Sequence, residues 1–227
     1  LNATIVDIKD ETPWVRRFFL QTEQANEFEF KPGQFVAMNM PDGTQRSYSI
    51  ASYANMRGRI ELCIVLNSAG KLTPWLWTLK PGDVLSISGP MGNFVLNDMP
   101  NCDVAFICTG TGVAPFRSMI QQLLEDSAGR NIYLIFGCRN RADLLYRQEF
   151  ESWQQADNRF RYIPVLSREP WEGRQGYVHA VYEELFADGR DARFYVCGWK
   201  VMCNEARTRL KQLGYNRRQY FFEEYDG

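Results

Sequence analysis

One histidine, no Cys-x-x-Cys pair and no apolar run of membrane-spanning length stand out as absences in this chain of 227 residues. Without a run of about 20 apolar residues, no transmembrane helix is expected. The six cysteines (Cys63, Cys102, Cys108, Cys138, Cys197, Cys203) show no metal-ligand spacing. An iron–sulfur set such as C-x4-C-x2-C is missing too, so no metal centre is expected. Several of these thiols sit inside apolar runs, where a free cysteine packs as a small hydrophobe, which points to a reducing, cytoplasmic setting. A net charge of −1 gives no reason to expect nucleic acid or an anionic membrane as partner. The opening LNATIVDIKD has no basic segment followed by an apolar one, so no signal peptide is expected. It also lacks an initiating Met, which reads as a trimmed or processed chain or an excised domain. No repeat or low-complexity tract is present. The lone His179 is expected at the surface of a helix start rather than as a base.

An apolar content of 45% suffices for two cores. Residues 1–98 read as an antiparallel β domain. Strands are predicted at 2–9, 15–22, 34–40, 46–51, 59–65, 84–88 and 94–96, with one helix at 72–79. Turns such as Lys31-Pro32-Gly33 and Lys80-Pro81-Gly82-Asp83 separate them, and the spacing suggests a small barrel. After a boundary near Asn97–Asn101, residues 102–227 change period. Strands at 103–108, 131–137, 160–167, 193–198 and 219–225 alternate with helices at 113–127, 147–156, 177–187 and 200–213. That alternation predicts an α/β doubly wound parallel sheet with ligands at the carboxyl ends of its strands. At the first such end, Thr109-Gly110-Thr111-Gly112 turns a buried strand into a helix, with Pro115 tolerated in the first helical turn. Glycines there allow close approach, and the helix N-terminus favours an anion such as a pyrophosphate.

Four stretches, in order, resemble the ferredoxin–NADP reductase family. Arg46-Ser47-Tyr48-Ser49 is similar to its R-x-Y-S flavin motif, and Gly70-Lys71-Leu72-Thr73 to its G-x-x-[ST] helix start. Thr109–Pro115 is similar to T-G-x-G-[VI]-[AG]-P, and Tyr195–Met202 to Y-x-C-G-x-x-x-M. The resemblance covers nearly the whole chain and is greatest to bacterial ferredoxin/flavodoxin–NADP reductases. It implies an N-terminal Greek-key β-barrel that binds FAD and a Rossmann-like domain that binds NADP. FMN in place of FAD stays open, because no adenine contact is readable.

The resemblance also implies roles. Arg46 would pair with the flavin pyrophosphate, a charge-assisted contact. Tyr48 would stack on the isoalloxazine and Ser49 would bond near its N5, with Ser47 beside them. Gly70, Lys71, Leu72 and Thr73 would complete the pyrophosphate site, Thr73 alternatively serving as a plain N-cap. Cys63, Ile64 and Val65 would offer backbone to the flavin, Cys63 being a packed thiol, and Thr111 and Tyr225 would also approach it. Gly110, Thr111, Gly112, Cys138, Gly198 and Met202 would line the nicotinamide dinucleotide, with Cys197 beside the reacting carbon as a neighbour and not a nucleophile. Glu223 would supply a carboxylate near both rings, unless the last strand slips by one and Glu224 does so. Ser167, Arg168 and Arg174 favour the 2′-phosphate of NADPH, while NADH stays possible. Ser49, Cys197 and Glu223 are thus the expected catalytic set. The implied partner of a monomer is an acidic ferredoxin or flavodoxin, met by Arg16, Arg17, Arg57, Arg217 and Arg218. Two other readings remain: an NADH-dependent reductase component of an oxygenase system, and a regulatory flavin- and nucleotide-binding subunit without turnover.

Overall fold

The computed structural model describes residues 1–23, 27–54, 57–96 and 98–225. Asn97, at the edge of the expected boundary, and Asp226-Gly227 lie outside them. The chain divides into two compact units, Leu1–Asn97 with Ala114–Gln122, and Asp98–Val113 with Leu123–Gly227.

The first unit contains β1 (Asn2–Thr12), β2 (Val15–Thr22), β3 (Phe35–Asn39), β4 (Gln45–Ser49), β5 (Arg59–Val65), α1 (Leu72–Leu76) and β6 (Val84–Met91). Its sheet order is β4-β3-β6-β1-β2-β5, with every pair antiparallel. Just beyond β4, Ile50 bridges Leu62 of β5, and the Ala51 N–H donates to the Glu61 carbonyl at 2.8 Å. Those contacts bring the two sheet edges together into a barrel. Alternation fills it: Phe18, Leu20, Val36, Met38, Ile60, Leu62, Ile64, Leu85 and Ile87 share one core, joined by Leu72 and Leu76 of α1. Each fully buried chain of this kind contributes about 1.5–3 kcal/mol.

Two local expectations are corrected here. The helix expected at 72–79 stops at Leu76, because Thr78 and Leu79 donate to Trp75 and Leu76, a tightening to i→i+3 bonds. The apolar run Phe94–Leu96 forms no strand. Gly92, at φ 104, turns the chain after β6, and Phe94 packs on Phe116 with ring centroids 5.9 Å apart.

The second unit runs through β7 (Asp103–Thr109), the start of α2 (Val113–Glu125), β8 (Ile132–Cys138), α3 (Arg147–Ala156), β9 (Phe160–Leu166), the two-residue β10 (Arg174–Gln175), α4 (Val178–Leu185), β11 (Ala192–Trp199), α5 (Lys200–Gln212) and β12 (Tyr220–Tyr225). All six strands are parallel in the order β10-β9-β8-β7-β11-β12. The chain winds outward from β7 to β8 and β9, then returns to β11 on the other side. The switch point between β7 and β11 is where such sheets open a crevice. Strand parity assigns the helices to opposite faces. Ile163 and Val165 of β9 join the α4–α5 core, whereas Phe160 and Tyr162 meet Phe150 of α3 at 6.4 and 5.3 Å.

His179 is corrected as well. It is buried, its Nδ1 sharing a 2.8 Å bond with the Tyr182 hydroxyl and its Nε2 3.1 Å from Glu205. The apolar face of α4 turns inward at that position, and α5 covers it. Among the described residues no helix is long and apolar enough to cross a membrane.

Candidate functional site

The carboxyl end of β7 is shaped by what three glycines leave out. Gly110–Gly112 form a single 3₁₀ turn before α2, whose first N–H groups have no side-chain cap. A methyl group on Gly112 would stand 2.4 Å from the Cys197 carbonyl oxygen, and one on Gly198 would stand 2.6 Å from Thr109 Oγ1. The turn and the end of β11 are therefore in direct backbone contact. Gly110 differs: its φ is 55° and the space beside it is open. Thr109 Oγ1 is buried and makes no hydrogen bond. The 3₁₀ turn has no side-chain cap at its own start and leaves open space at Gly110, which fits an anionic ligand at the turn; the first N–H of α2, at Val113, is taken by the Gly110 carbonyl. Thr111, next to Gly110, is half-buried. Burial pushes the Cys138 thiol up to about 12; the nearby Asp143 adds to this and the Gly110 N–H opposes it.

Cys197 is fully buried, and its thiol is pushed well above the ordinary range, first by burial and then by Glu223. The thiol thus stays protonated and cannot serve as a thiolate nucleophile. Parallel pairing of β11 and β12 sets Cys197 opposite Glu223, with Sγ 4.0 Å from Oε2. Glu224 faces the other way and meets Arg207 at 3.4 Å. The strand faces agree: Tyr195 stacks on Phe221 at 4.8 Å, on the face of Cys197 and Glu223, whereas Phe222 joins the α5 core. Met202 closes behind Gly198, and Tyr225 pairs in register with Trp199.

In the first unit, the Arg46 guanidinium is exposed and bonds the Gln45 carbonyl at 2.8 Å. Ser47 is exposed and Ser49 buried. Tyr48 is half-buried against the barrel core, and burial raises its hydroxyl to about 12 against the opposing charge of Arg46. Cys63 is buried, Ile64 belongs to the core and Val65 is exposed. Past the Ile50–Leu62 bridge, the edge of β5 away from β2 pairs with no other strand among the described residues. Cys63 thus stands beside Ser49 across the bridge, and Val65 lies at the exposed end of β5. Thr73 is the second residue of α1 and not its N-cap. Its hydroxyl accepts from the Asn67 N–H at 2.9 Å and donates to the Asn67 carbonyl at 3.0 Å, closing its own loop. Gly70 also bonds back to Asn67, Lys71 reaches Asp42 at 3.4 Å, and Leu72 lies in the barrel core.

Beyond β8 and β9, Ser167 Oγ donates to the Cys138 carbonyl at 3.3 Å, and the Arg168 N–H donates to the Arg139 carbonyl at 3.0 Å. Arg139 and Arg168 are thus exposed neighbours. Arg174 instead grips Glu184 with both terminal nitrogens. Glu169 accepts from the Arg141 N–H at 2.7 Å, and Glu172 lies 3.6 Å from the Arg141 side chain. Of the arginines expected at a docking rim, two are already engaged. Arg16 bonds Asp10 at 2.8 Å and lies over the Trp77 ring, and Arg17 clamps Glu61. Arg57, Arg217 and Arg218 are exposed.

Residues 2–96 match the oxidoreductase FAD-binding domain and residues 106–208 the oxidoreductase NAD-binding domain. The ferredoxin–NADP reductase B of Sorangium cellulosum is 33% identical over 237 residues, covering 99% of this chain and 97% of that protein. The chain belongs to the ferredoxin–NADP reductase family. Within that family, the phenol hydroxylase P5 protein of Acinetobacter pittii is 35% identical over 221 residues, of which the match takes up 93% of this chain and 61% of that one. Among solved structures, the Amycolatopsis cytochrome P450 reductase GcoB superposes with a TM-score of 0.93 at 28% identity, over 99% of this chain and 69% of GcoB. A Neisseria gonorrhoeae ferredoxin NADP+ reductase with bound FAD and NADP shares the fold, with a TM-score of 0.85 at 22% identity.

As a flavin oxidoreductase of this family, the chain carries an FAD-binding and an NAD-binding domain. The exposed Arg46 and the half-buried Tyr48 on β4 fit the former, and the Gly110–Gly112 turn, open at Gly110, fits the latter. Sequence reading missed Arg139, which stands directly after Cys138 at a strand's carboxyl end. Position alone could have flagged it. It also missed Glu61 and Arg117, whose pairing spans 56 residues and leaves no local signal.

Proposed function

We propose that this chain is an NADPH-dependent reductase that hands electrons to a small acidic carrier, a ferredoxin or a flavodoxin. The contact between the Gly110–Gly112 turn and the end of β11 carries the reading, because it makes the dinucleotide turn and Cys197 parts of one site. Bound FAD would supply acceptance of a hydride from the nicotinamide and release of electrons one at a time. The chain's own residues bind and orient. The main chain of the Gly110–Gly112 turn, with the open space at Gly110, accommodates the pyrophosphate oxygens. Cys197 presents a protonated, uncharged thiol at the reacting end, and Glu223 sets a carboxylate 4.0 Å from it. In the first unit, Arg46 neutralises the flavin pyrophosphate and Tyr48 offers its ring. The main chain at Cys63–Val65, with Ser49, bonds the polar edge of the flavin.

For the nucleotide, Arg139, Arg168 and Ser167 support NADPH, since two exposed arginines on neighbouring main chain bring positive charge toward a doubly charged 2′-phosphate. Arg174 is held by Glu184 in an exposed pair, which solvent screening leaves weak enough to open for a stronger anion. A second reading, an NADH-using reductase component of an oxygenase, is favoured by the P5 relative and by Glu169 and Glu172 beside the same loop. Steady-state turnover of the purified flavoprotein separates the two. The first reading expects kcat/KM for NADPH to exceed that for NADH by at least about tenfold, or about 1.4 kcal/mol. Arg139→Ala should remove most of that preference. A preference for NADH in the parent protein would overturn the first reading.

A further inference from the structure

Glu61 sits on the outer face of β5, away from the core-facing Ile60, Leu62 and Ile64, yet it is only 3% exposed. A buried carboxylate persists only when donors surround it. Two arginines from distant parts of the chain supply them. Arg17 of β2 donates Nε to Oε1 at 2.6 Å and Nη2 to Oε2 at 3.2 Å. Arg117 of α2, 8% exposed, donates Nη1 both to Oε2 at 3.2 Å and to the Ala51 carbonyl at 2.7 Å. Arg17 also meets Glu11 at 3.4 Å, so two guanidiniums and two carboxylates balance in charge. The main chain takes part as well: the Glu61 N–H donates to Ser52 Oγ at 3.0 Å. Every one of these residues lies in the first unit.

The location gives the network its consequence. Ala51 is two residues beyond Ser49, and Glu61 is two residues before Cys63. These are the two sides of the barrel seam, which the Ile50–Leu62 bridge closes. Arg117 holds both sides at once, bonding the backbone of one and the side chain of the other. We propose that Arg117, acting through Glu61 and Ala51, is a positioning residue that fixes the width of this seam and thereby the seating of the flavin for reduction. The inference rests on the flavin reading given above. Arg117 touches no reacting atom, and its effect passes through Ser49 and the main chain at Cys63.

The test uses the flavin-loaded protein and the variants Arg117→Ala, Arg117→Lys and Glu61→Gln. The readouts are the visible spectrum of the bound flavin and the limiting rate of its reduction by excess NADPH or NADH in stopped flow. A displaced reactant commonly costs ten- to hundredfold in rate, so Arg117→Ala should lower the limiting rate by about tenfold or more and shift the flavin band. The nucleotide concentration giving half-maximal rate should stay within about twofold, because ground-state nucleotide binding is untouched. Glu61→Gln, which keeps the shape and removes the charge, should move rate and spectrum in the same direction. Arg117→Lys, which retains the charge, should recover part of the loss. Wild-type rate and spectrum in both Arg117→Ala and Glu61→Gln would overturn the proposal, as would a change confined to thermal stability or to nucleotide affinity. If Arg117→Ala fails to fold, Glu61→Gln and Arg117→Lys carry the same measurements. A parent protein that holds no flavin, or whose flavin no nucleotide reduces, would instead refute the functional reading itself.

Discussion

Replacing Gly112 by alanine probes the contact on which the proposed chemistry depends. The backbone at Gly112 is ordinary for any residue, with φ −59 and ψ −10, so the substitution tests space and not conformation. The added methyl would lie 2.4 Å from the Cys197 carbonyl oxygen, 2.9 Å from its carbon and 3.3 Å from Gly198 Cα. All three are main-chain atoms of β11, which is paired on both sides by β7 and β12 and has no rotamer to change. Ordinary contact therefore requires the turn to retreat by roughly 1 Å, and overpacking of this kind costs about 1–3 kcal/mol. The same retreat shifts the turn and the start of α2 relative to Cys197. A misplacement of about 1 Å near reacting groups can cost on the order of a hundredfold in rate. Thermal unfolding and stopped-flow reduction of the bound flavin, with flavin content checked, measure the two effects. Gly110→Ala serves as the contrast, because its methyl meets nothing and its cost is the φ of 55°, about 1–2 kcal/mol. If Gly112→Ala keeps wild-type stability and limiting rate, the turn and β11 are not joined as described, and the site assignment falls.

Arg46→Ala should lower flavin occupancy at least about tenfold while leaving the circular dichroism unchanged, because an exposed guanidinium contributes to ligand charge and little to packing. Equilibrium dialysis with FAD checks this. Glu223→Gln should slow flavin reduction, and Glu224→Gln should leave it within about twofold, since Glu224 faces Arg207 on the far side of β12. The reverse order would mean that the two side chains exchange places in solution. His179 is held below its ordinary value, chiefly by burial and then by Arg209, with Glu205 and Glu183 opposing. Its folded pKa lies below its unfolded one, so the unfolded chain binds the proton more readily. Stability is then full above about pH 6.5 and declines as pH falls through the folded value. No other histidine exists to blur that window. The melting temperature should drop between pH 7.5 and 5.5 in the parent protein and drop less in His179→Gln.

Much of this protein was legible from local chemistry. Strands whose residues alternate, such as β2 and β5, declare themselves because one face must be apolar and the other need not be. The strand–turn–helix at Thr109–Pro115 is equally local, since glycine spacing and an early proline specify it without reference to distant residues. Resemblance carried the flavin motif onto Arg46–Ser49. Elsewhere, expectations met competition from packing. Phe94–Leu96 reads as a strand because its residues are apolar, but apolarity asks only for burial, and a helix side chain at Phe116 supplies it without a ladder. Thr73 reads alternatively as a cap, yet Lys71 holds the N-cap position and the Thr73 hydroxyl closes the loop at Asn67, six residues earlier.

Residue types and their periods, by themselves, determined the two-unit order, the parallel and antiparallel sheets and the glycine turn between β7 and α2, because each follows from constraints within a dozen residues. Tertiary structure alone decided which charges are matched and which remain for a ligand. Arg17, Arg46, Arg117, Arg139 and Arg174 are equivalent as letters. In the fold, Arg17 and Arg117 neutralise a buried Glu61, Arg174 is held by Glu184, and Arg46 and Arg139 stand exposed. The difference arises because the energy of a charge depends on burial and on partners within about 4 Å, and those partners lie up to 56 residues away in the chain.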